Sequence, residues 1–289
     1  MRVDFEMNTS TFEKYPDLVA QIRDEVIPRG IHFFGHGHLH VRNDSLTFEE
    51  AFQNFFQCYY LMEEWGFNPK AYAYPHSSGY FPSTQLACQS AGFIFARGST
   101  FEPDKYFICP DDVKEPENWF FLPSVQIGQL WIYIHNHDEM RPLLEATLEK
   151  SAWLIGLYHA LGYPDGYCYY PYEDFLKDLD FLEENDFWCS NMDIIACYIK
   201  ERNNFQMDVK LISSGNNLKY DVVFNDNLDN AIYDTPLTIE LTFDASVGIK
   251  KVKFEPEIDP GKDIYTITNN KLQINIIPDG QKYTMTLYN

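Results

Sequence analysis

From its start to about residue 203, the chain alternates segments of two-residue apolar rhythm with segments that repeat at helical spacing. This order narrows the possible folds most. MRVDFEM opens as a short strand, and EKYPDLVAQIRDEVIPRG reads as a helix with Leu18, Ile22 and Val26 on one face. IHFFGHG is a strand running into a loop. TFEEAFQNFFQCYYLMEEWG is a helix with Thr47 as its cap, Glu50 completing a capping box and Gly66 as its stop. Phe48, Phe52, Phe55, Tyr59 and Met62 form its expected apolar face. KAYAYP and FIFARG are strands on either side of the helix STQLACQSAG. RPLLEATLEKS is a helix, AWLIGLYHALG a strand with a loop at its end, and YEDFLKDLDFLEEN and NMDIIACYIKERN are closing helices. Such alternation with short links predicts an α/β fold: a parallel sheet or (β/α) barrel covered by helices, with functional side chains at the C-terminal strand ends.

After ERNNF the rhythm changes. QMDVKLIS, LKYDVVFN, PLTIELTF, IKKVKFEP, DIYTIT, KLQINII and KYTMTLY are short strands separated by turn residues. Leu237, Ile239, Leu241 and Phe243 alternate with polar neighbours, as in a half-buried strand. The spacing predicts an all-β sandwich of immunoglobulin-like size. The domain boundary is expected at Asn203 to Phe205, giving a first domain over 1–203 and a second over 204–289.

Charge and cysteine usage exclude some function classes. A formal net charge of −21 repels nucleic acid and anionic membranes, so neither is expected as a partner. No apolar stretch approaches the roughly 20 residues of a membrane span. MRVDFEMNTS lacks the apolar core of a signal peptide, which predicts a cytoplasmic protein if the chain is complete. The six cysteines form no C-x-x-C pair and sit in runs such as FQCYY and IIACYI, as buried free thiols do.

The chemistry-bearing residues cluster in a few short stretches. GHGHLH, residues 35 to 40, places three of the chain's eight histidines in five positions. His36 and His40 are four apart, a spacing that aims two imidazoles at one ion on a helical turn. A histidine-rich polar loop is the plain alternative. The H-x-H pairs His36/His38 and His38/His40 leave a second alternative open, a binuclear metallohydrolase recruiting His76, His135, His137 and Asp138. AYAYPHSSGY carries Tyr74, Pro75 and His76 where a strand runs into a loop, suiting a substrate-facing turn. His159 ends an apolar strand, either as a satisfied loop histidine or as a general acid or base.

The order of these stretches resembles the polysaccharide deacetylases, carbohydrate esterase family four of the NodB-homology type. PDLVAQIRDEVIPRGIHFFGHGHLH is similar to that family's helix, glycine, strand and H-x-x-x-H motif. The segment from SLTFEEAF through AYAYPHSSGY to FIFARG looks like its next helix, its tyrosine–proline strand end and its following strand. ATLEKSAWLIGLYHALG looks like the strand that ends in its catalytic histidine, and DFLKDLDFLEENDFWCSNMDIIACYIKERN like its closing helices. The resemblance covers about residues 1 to 203.

It implies a metal-dependent hydrolase that removes acetyl groups from a polymeric carbohydrate. His36 and His40 would hold one divalent ion, usually zinc and sometimes cobalt. His159 would be the general acid, and Tyr74 would contribute its backbone N–H to an oxyanion hole beside Pro75 and His76. The family's opening strand carries paired aspartates, one the base and one a metal ligand. No such segment is evident here, and Asp4 and Glu6 lie too close to His36 in the chain to supply it. An incomplete or distorted barrel of weak or no activity is therefore expected, with Asp4, Asp138 or Asp165 as possible substitute carboxylates. A non-catalytic carbohydrate-binding homologue remains the alternative. The arginine that the family places two residues before the proline is replaced by Ala73.

Overall fold

A computed structural model describes residues 2–129, 134–214, 217–243, 248–258, 266–268 and 271–288. The chain divides into two compact units, Met1–Asp193 and Ile194–Asn289. The division falls in the first turn of the last helix rather than at its end near Asn203.

The first unit is built on a parallel sheet whose strands lie in chain order: β1 (Asp4–Met7), β2 (His32–Gly35), β3 (Ala71–Ala73), β4 (Phe95–Ser99), β5 (Leu122–Gln126) and β6 (Gly156–Leu157). Sequential order with helical links is what right-handed β–α–β crossovers produce. Between β1 and β2 run α1 (Thr9–Phe12), α2 (Pro16–Gln21) and a wider and a tighter turn that end at left-handed Gly30. Val19 and Ile22 are buried and Val26 packs against the core, while Leu18, expected inside, is exposed. α3 (Phe48–Glu64) has the predicted Thr47/Glu50 capping box, and α4 (Pro82–Ser90) packs beside it. The buried face of α3 is Ala51, Asn54, Phe55, Cys58, Leu61 and Met62. Phe48 instead stands exposed and stacks on Phe52, because the sheet-facing stripe lies further round the helix than the aromatic spacing suggests.

After β5 come α5 (His137–Glu149), then β6, a small parallel pair of β7 (Ala160–Leu161) and β8 (Tyr169–Tyr170), and α6 (Tyr172–Glu184). In sequence α5 lies between β5 and β6, and it packs on α6. The apolar strand expected over residues 152–162 is split into two short ones, β6 and β7, and His159 lies between them.

Side chains alternate across the sheet. Met7, Phe33, Tyr72, Tyr74 and Ala96 join Phe55, Cys58 and Met62 of α3 and Ala87 and Cys88 of α4 in one core. The opposite face carries Asp4, Glu6, His32, Phe34, Phe95, Arg97, Ser99, Ser124 and Gln126. Glu6 on β1 pairs with Arg97 on β4 across two intervening strands. In a flat sheet those strands would stand about 14 Å apart, so the sheet must curl, forming a half-barrel with its polar face inside.

The last helix, α7 (Met192–Asn204), leads into the all-β part. Within the second unit, β9 (Gln206–Ser214), β10 (Asn217–Asn225), β11 (Leu237–Thr242), β12 (Lys251–Glu255), β13 (Thr266–Thr268), β14 (Lys271–Ile276) and β15 (Asp279–Tyr288) make two antiparallel sheets. One has the order β12–β15–β10–β9, the other β11–β14–β13. Val222, Phe224, Val252, Phe254, Met285 and Leu287 of the first sheet share a core with Leu272, Ile274 and Ile276 of the second. Residues 263–265 of the predicted strand DIYTIT lie outside the described residues. α7 belongs with this unit through Cys197 Sγ, which reaches the Ile232 carbonyl, and Glu201, which accepts from Thr235 N at 2.9 Å. No helix among the described residues is long and apolar enough to cross a membrane.

Candidate active site

The C-terminal ends of β1, β2 and β4 converge on one point inside the half-barrel. Register pairs Met7 with Gly35, and the ladder continues as His36 N donates to the Met7 carbonyl at 2.9 Å. Glu6 and His36 therefore project from adjacent strand ends, and Glu6 Oε2 lies 3.3 Å from His36 Nδ1. Glu6, which lies too close to His36 in the chain to be the family's opening strand, thus comes beside it from the adjacent strand. The short α1–α2 link brings β1 back as the direct neighbour of the histidine strand. Arg97 is the Cα partner of Ala73, so an arginine reaches the site from β4, beside the β3 position at which this chain has alanine.

Arg97 is almost wholly buried and Glu6 is its ion partner. Burial pulls the Arg97 guanidinium down to about 9, which leaves it cationic at neutral pH. A buried cation of this kind requires its carboxylate. His36 Nδ1 meets the Ala73 carbonyl at 2.8 Å. A carbonyl only accepts, so Nδ1 carries the proton and Nε2 keeps its lone pair. Burial, with the charges of His40, His159 and His76 adding to it, pushes the His36 imidazole down to about 4. It is neutral at neutral pH, as a metal ligand must be.

The loop after β2 is held by its surroundings. Asn8 Nδ2 donates to the carbonyls of Gly37 and His38, and Thr9 N also donates to Gly37. Asn54 on α3 accepts from Leu39 N at 2.7 Å and donates to Asn43 Oδ1. Gly37 adopts φ 86°, and a Cβ there would come within 2.6 Å of the Leu39 carbonyl. This fixes the second glycine of GHGHLH. The resulting turn brings the His36 and His40 rings to 4.8 Å between centroids.

A second loop brings a third imidazole. His76 follows β3 in the left-handed region (φ 54°), as does Ser77 (φ 53°). Such backbone persists where neighbours impose it, often at functional sites. Asp44 accepts from Gly79 N and Tyr80 N at 2.8 and 3.0 Å, and Gln126 donates to Ser77 Oγ. The His76 ring stands 4.6 Å from that of His40. His159, exposed after β6, lies edge-on to the exposed Tyr167 ring at 4.9 Å. Its basicity is lowered first by burial and then by Arg97 and His40, which places it electrostatically with this group.

Other anticipated residues stand apart. Tyr74 N donates to the Arg97 carbonyl at 3.1 Å, so the N–H assigned to an oxyanion hole is used in the sheet. The Tyr74 ring points into the apolar core, and its hydroxyl is buried with no partner among the described residues. Pro75 is buried at the start of the loop. Asp4 lies at the other end of β1, bonded to Asn191 and Met192. Asp138 is exposed in the first turn of α5, and Asp165 is exposed in the turn between β7 and β8. None of the three named substitutes is brought to His36, and Glu6 takes the place reserved for them. The H-x-H partners are also dispersed. His38 faces Thr9, His135 pairs with Glu139, and His137 bonds Asp178 at 2.8 Å.

The donor set partly suits a metal ion. His36 and His40 are neutral imidazoles with close rings, and His36 is oriented through its second nitrogen as ligating histidines are. Among the described residues, the trio of histidine and carboxylate atoms lying within 4.8 Å of one another is elsewhere, at Asp4, His32 and Asp193.

The fold is deacetylase-like. Over 69% of this chain and 72% of the other, it is similar to a crystal structure of a candidate polysaccharide deacetylase from Mycobacterium smegmatis, with a TM-score of 0.50 and 15% identity. A glycoside hydrolase family 30 xylanase from Clostridium acetobutylicum aligns over 99% of this chain and 88% of its own at a TM-score of only 0.31 and 8% identity, too low to support any inference. No family model matches the sequence, and no curated protein does either.

Glu6 and Arg97 were the residues hardest to find from sequence. Their signal was faint: Glu6 alternates with Phe5 and Met7 on β1, and Arg97 follows the apolar run FIFA on β4, each on the face opposite the core.

Proposed function

We propose that the first unit is a metal-dependent hydrolase removing acetyl groups from a polysaccharide or amino sugar. The observation that carries this is the convergence of Glu6, His36 and Arg97 at the strand ends, beneath the loop histidines His40, His76 and His159. The similarity of fold to a candidate polysaccharide deacetylase supports the same substrate class. The seven strands of the second unit suit an immunoglobulin-like accessory module.

His36 and His40, with His76 as third imidazole, would hold one divalent ion, zinc or cobalt. Bound there, it would supply Lewis-acid polarisation of the acyl carbonyl and acidify a water. Glu6 is placed to accept the proton of the attacking water. Arg97 keeps that carboxylate ionised and oriented, at the cost of some basicity. His159 is held neutral, so it must take a proton from solvent, to which it is exposed, before it can donate one. It then protonates the leaving amine or alkoxide as the bond to the acyl carbon breaks. Tyr167 offers an exposed aromatic face beside it for a sugar ring.

Acetate release from chito-oligosaccharides and acetylated xylan, with zinc or cobalt added, tests this. Turnover should fall about 10²–10⁴-fold in Glu6→Gln and His159→Ala, and be lost in His36→Ala. Activity that survives all three substitutions refutes the site. Sugar binding with no acetate release from the wild-type chain would leave only a carbohydrate-binding role.

A further inference from the structure

Within the second unit, the two edges of the four-stranded sheet are finished differently. β12 forms one edge, and its inward side chains Val252 and Phe254 are buried. β9 forms the other, and all nine of its residues are exposed. Register pairs Met207, Val209 and Leu211 of β9 with Phe224, Val222 and Tyr220 of β10. Directly paired residues share a face, and Phe224 and Val222 belong to the core. Met207, Val209 and Leu211 therefore lie on the inner face of the sheet, yet they are 39%, 48% and 51% exposed. The facing sheet β11–β14–β13 is one strand narrower, and it leaves this apolar row without cover among the described residues.

An exposed apolar edge strand is a template for pairing with another strand, and proteins usually blunt it. The outer face of β9 carries Asp208 and Lys210. Asp208 stands opposite Val223, and Lys210 opposite Asp221, which is already bound to Lys282 of β15 at 2.6 Å. β10 thus offers the aspartate nothing and the lysine a carboxylate that is taken.

The order Met-Asp-Val-Lys-Leu is its own complement when read antiparallel. About a twofold axis through Val209, Asp208 meets Lys210 of a second copy, Met207 meets Leu211 of that copy, and Val209 meets its equivalent. Two unlike-charge pairs form on the outer face, and the apolar row of one copy continues into that of the other on the inner face. Other registers do worse. An axis at Asp208 opposes two carboxylates, and one at Lys210 opposes two ammonium groups, which is destabilising. An axis between residues sets the apolar row of one copy against the charged row of the other. Ile212 falls where the register to β10 shifts, which ends the regular stretch just past Leu211. Over residues 194–289 lysine and arginine nearly balance aspartate and glutamate, so the acidic excess of the chain lies outside this unit.

We propose that β9 is a self-association edge: two copies of this chain pair antiparallel through residues 207–211 about Val209, joining their four-stranded sheets into one. The contact is isologous. One strand pair buries little area, so the dimer is a weak, exchanging one.

Sedimentation of the full chain from about 1 µM to 1 mM tests this, a range that covers weak association. A monomer–dimer equilibrium is expected. Asp208→Lys turns both unlike pairs into like ones and should weaken the dimer about tenfold or more. Lys210→Asp should do the same. Asp208→Lys/Lys210→Asp restores both pairs with their signs reversed and should regain most of the lost affinity. Val209→Lys sets two ammonium groups on the axis, should leave the chain monomeric, and serves if a charge variant fails to fold. A dimer weakened by each single substitution and regained in the double variant supports the assignment. A wild-type chain that stays monomeric throughout, a dimer indifferent to the single substitutions, or a double variant no better than the singles overturns it.

Discussion

Arg97 is a full cation with almost no solvent, and Glu6 is the group that makes its burial tolerable. Removing either partner leaves a buried charge unmatched, which costs about 3–5 kcal/mol. Glu6→Gln and Arg97→Met should each lower the urea midpoint of the first unit by a corresponding amount. The double variant should be less destabilised than the sum of the two, by about 1–3 kcal/mol. Strict additivity in that cycle would mean that the pair is not coupled. Gly37 carries a separate constraint, since alanine would face both an unfavourable φ and the Leu39 carbonyl. Gly37→Ala should cost about 1–3 kcal/mol and displace His40, visible as lost cobalt uptake at the mouth while the fold persists.

Among elements, the two loops after β2 and β3 decide the site more than the strands do. Asn54 reaches out from the buried face of α3 to hold the first loop at Leu39 and Asn43. Asn54→Ala should cost about 1–3 kcal/mol by leaving loop groups unpaired, and should weaken cobalt binding at the mouth. α7 offers a pH-dependent element in the second unit. Glu201 is fully buried, and burial raises its carboxyl to about 7 although Thr235 N donates to it. The folded chain thus holds a proton that the unfolded chain, with an ordinary carboxyl near 4.5, has released. This contribution is complete below pH 4.5 and is lost as pH rises through about 7, on the order of 3 kcal/mol in all. The second unit should melt at lower temperature at pH 8 than at pH 5, and Glu201→Gln should flatten that dependence. A slope unchanged by the substitution would assign it to other groups.

For the whole molecule, each unit has its own core: the aromatic layer between half-barrel and helices in one, the shared apolar core of the two sheets in the other. Separate cores predict two calorimetric transitions. Glu201→Gln should move only one of them, and Glu6→Gln only the other. A single transition shifted by both would show that the units unfold together.

Much of this was written in the linear sequence. Periodicity alone gave the α/β half followed by antiparallel strands, because the core-facing spacing of a helix or strand is a local property. The glycine-bracketed histidines and the capping box of α3 were legible for the same reason. Glu6 and Arg97 were not. They are 91 residues apart, and only the curl of the sheet, which depends on every strand between them, brings their charges together. Tyr74 shows the converse: its motif suggested a free N–H, and the neighbouring strand's carbonyl had already taken it. The hydrogen bond between His32 on β2 and Asp193, 161 residues further on, is likewise a product of tertiary packing, since nothing in the local sequence of either residue names the other.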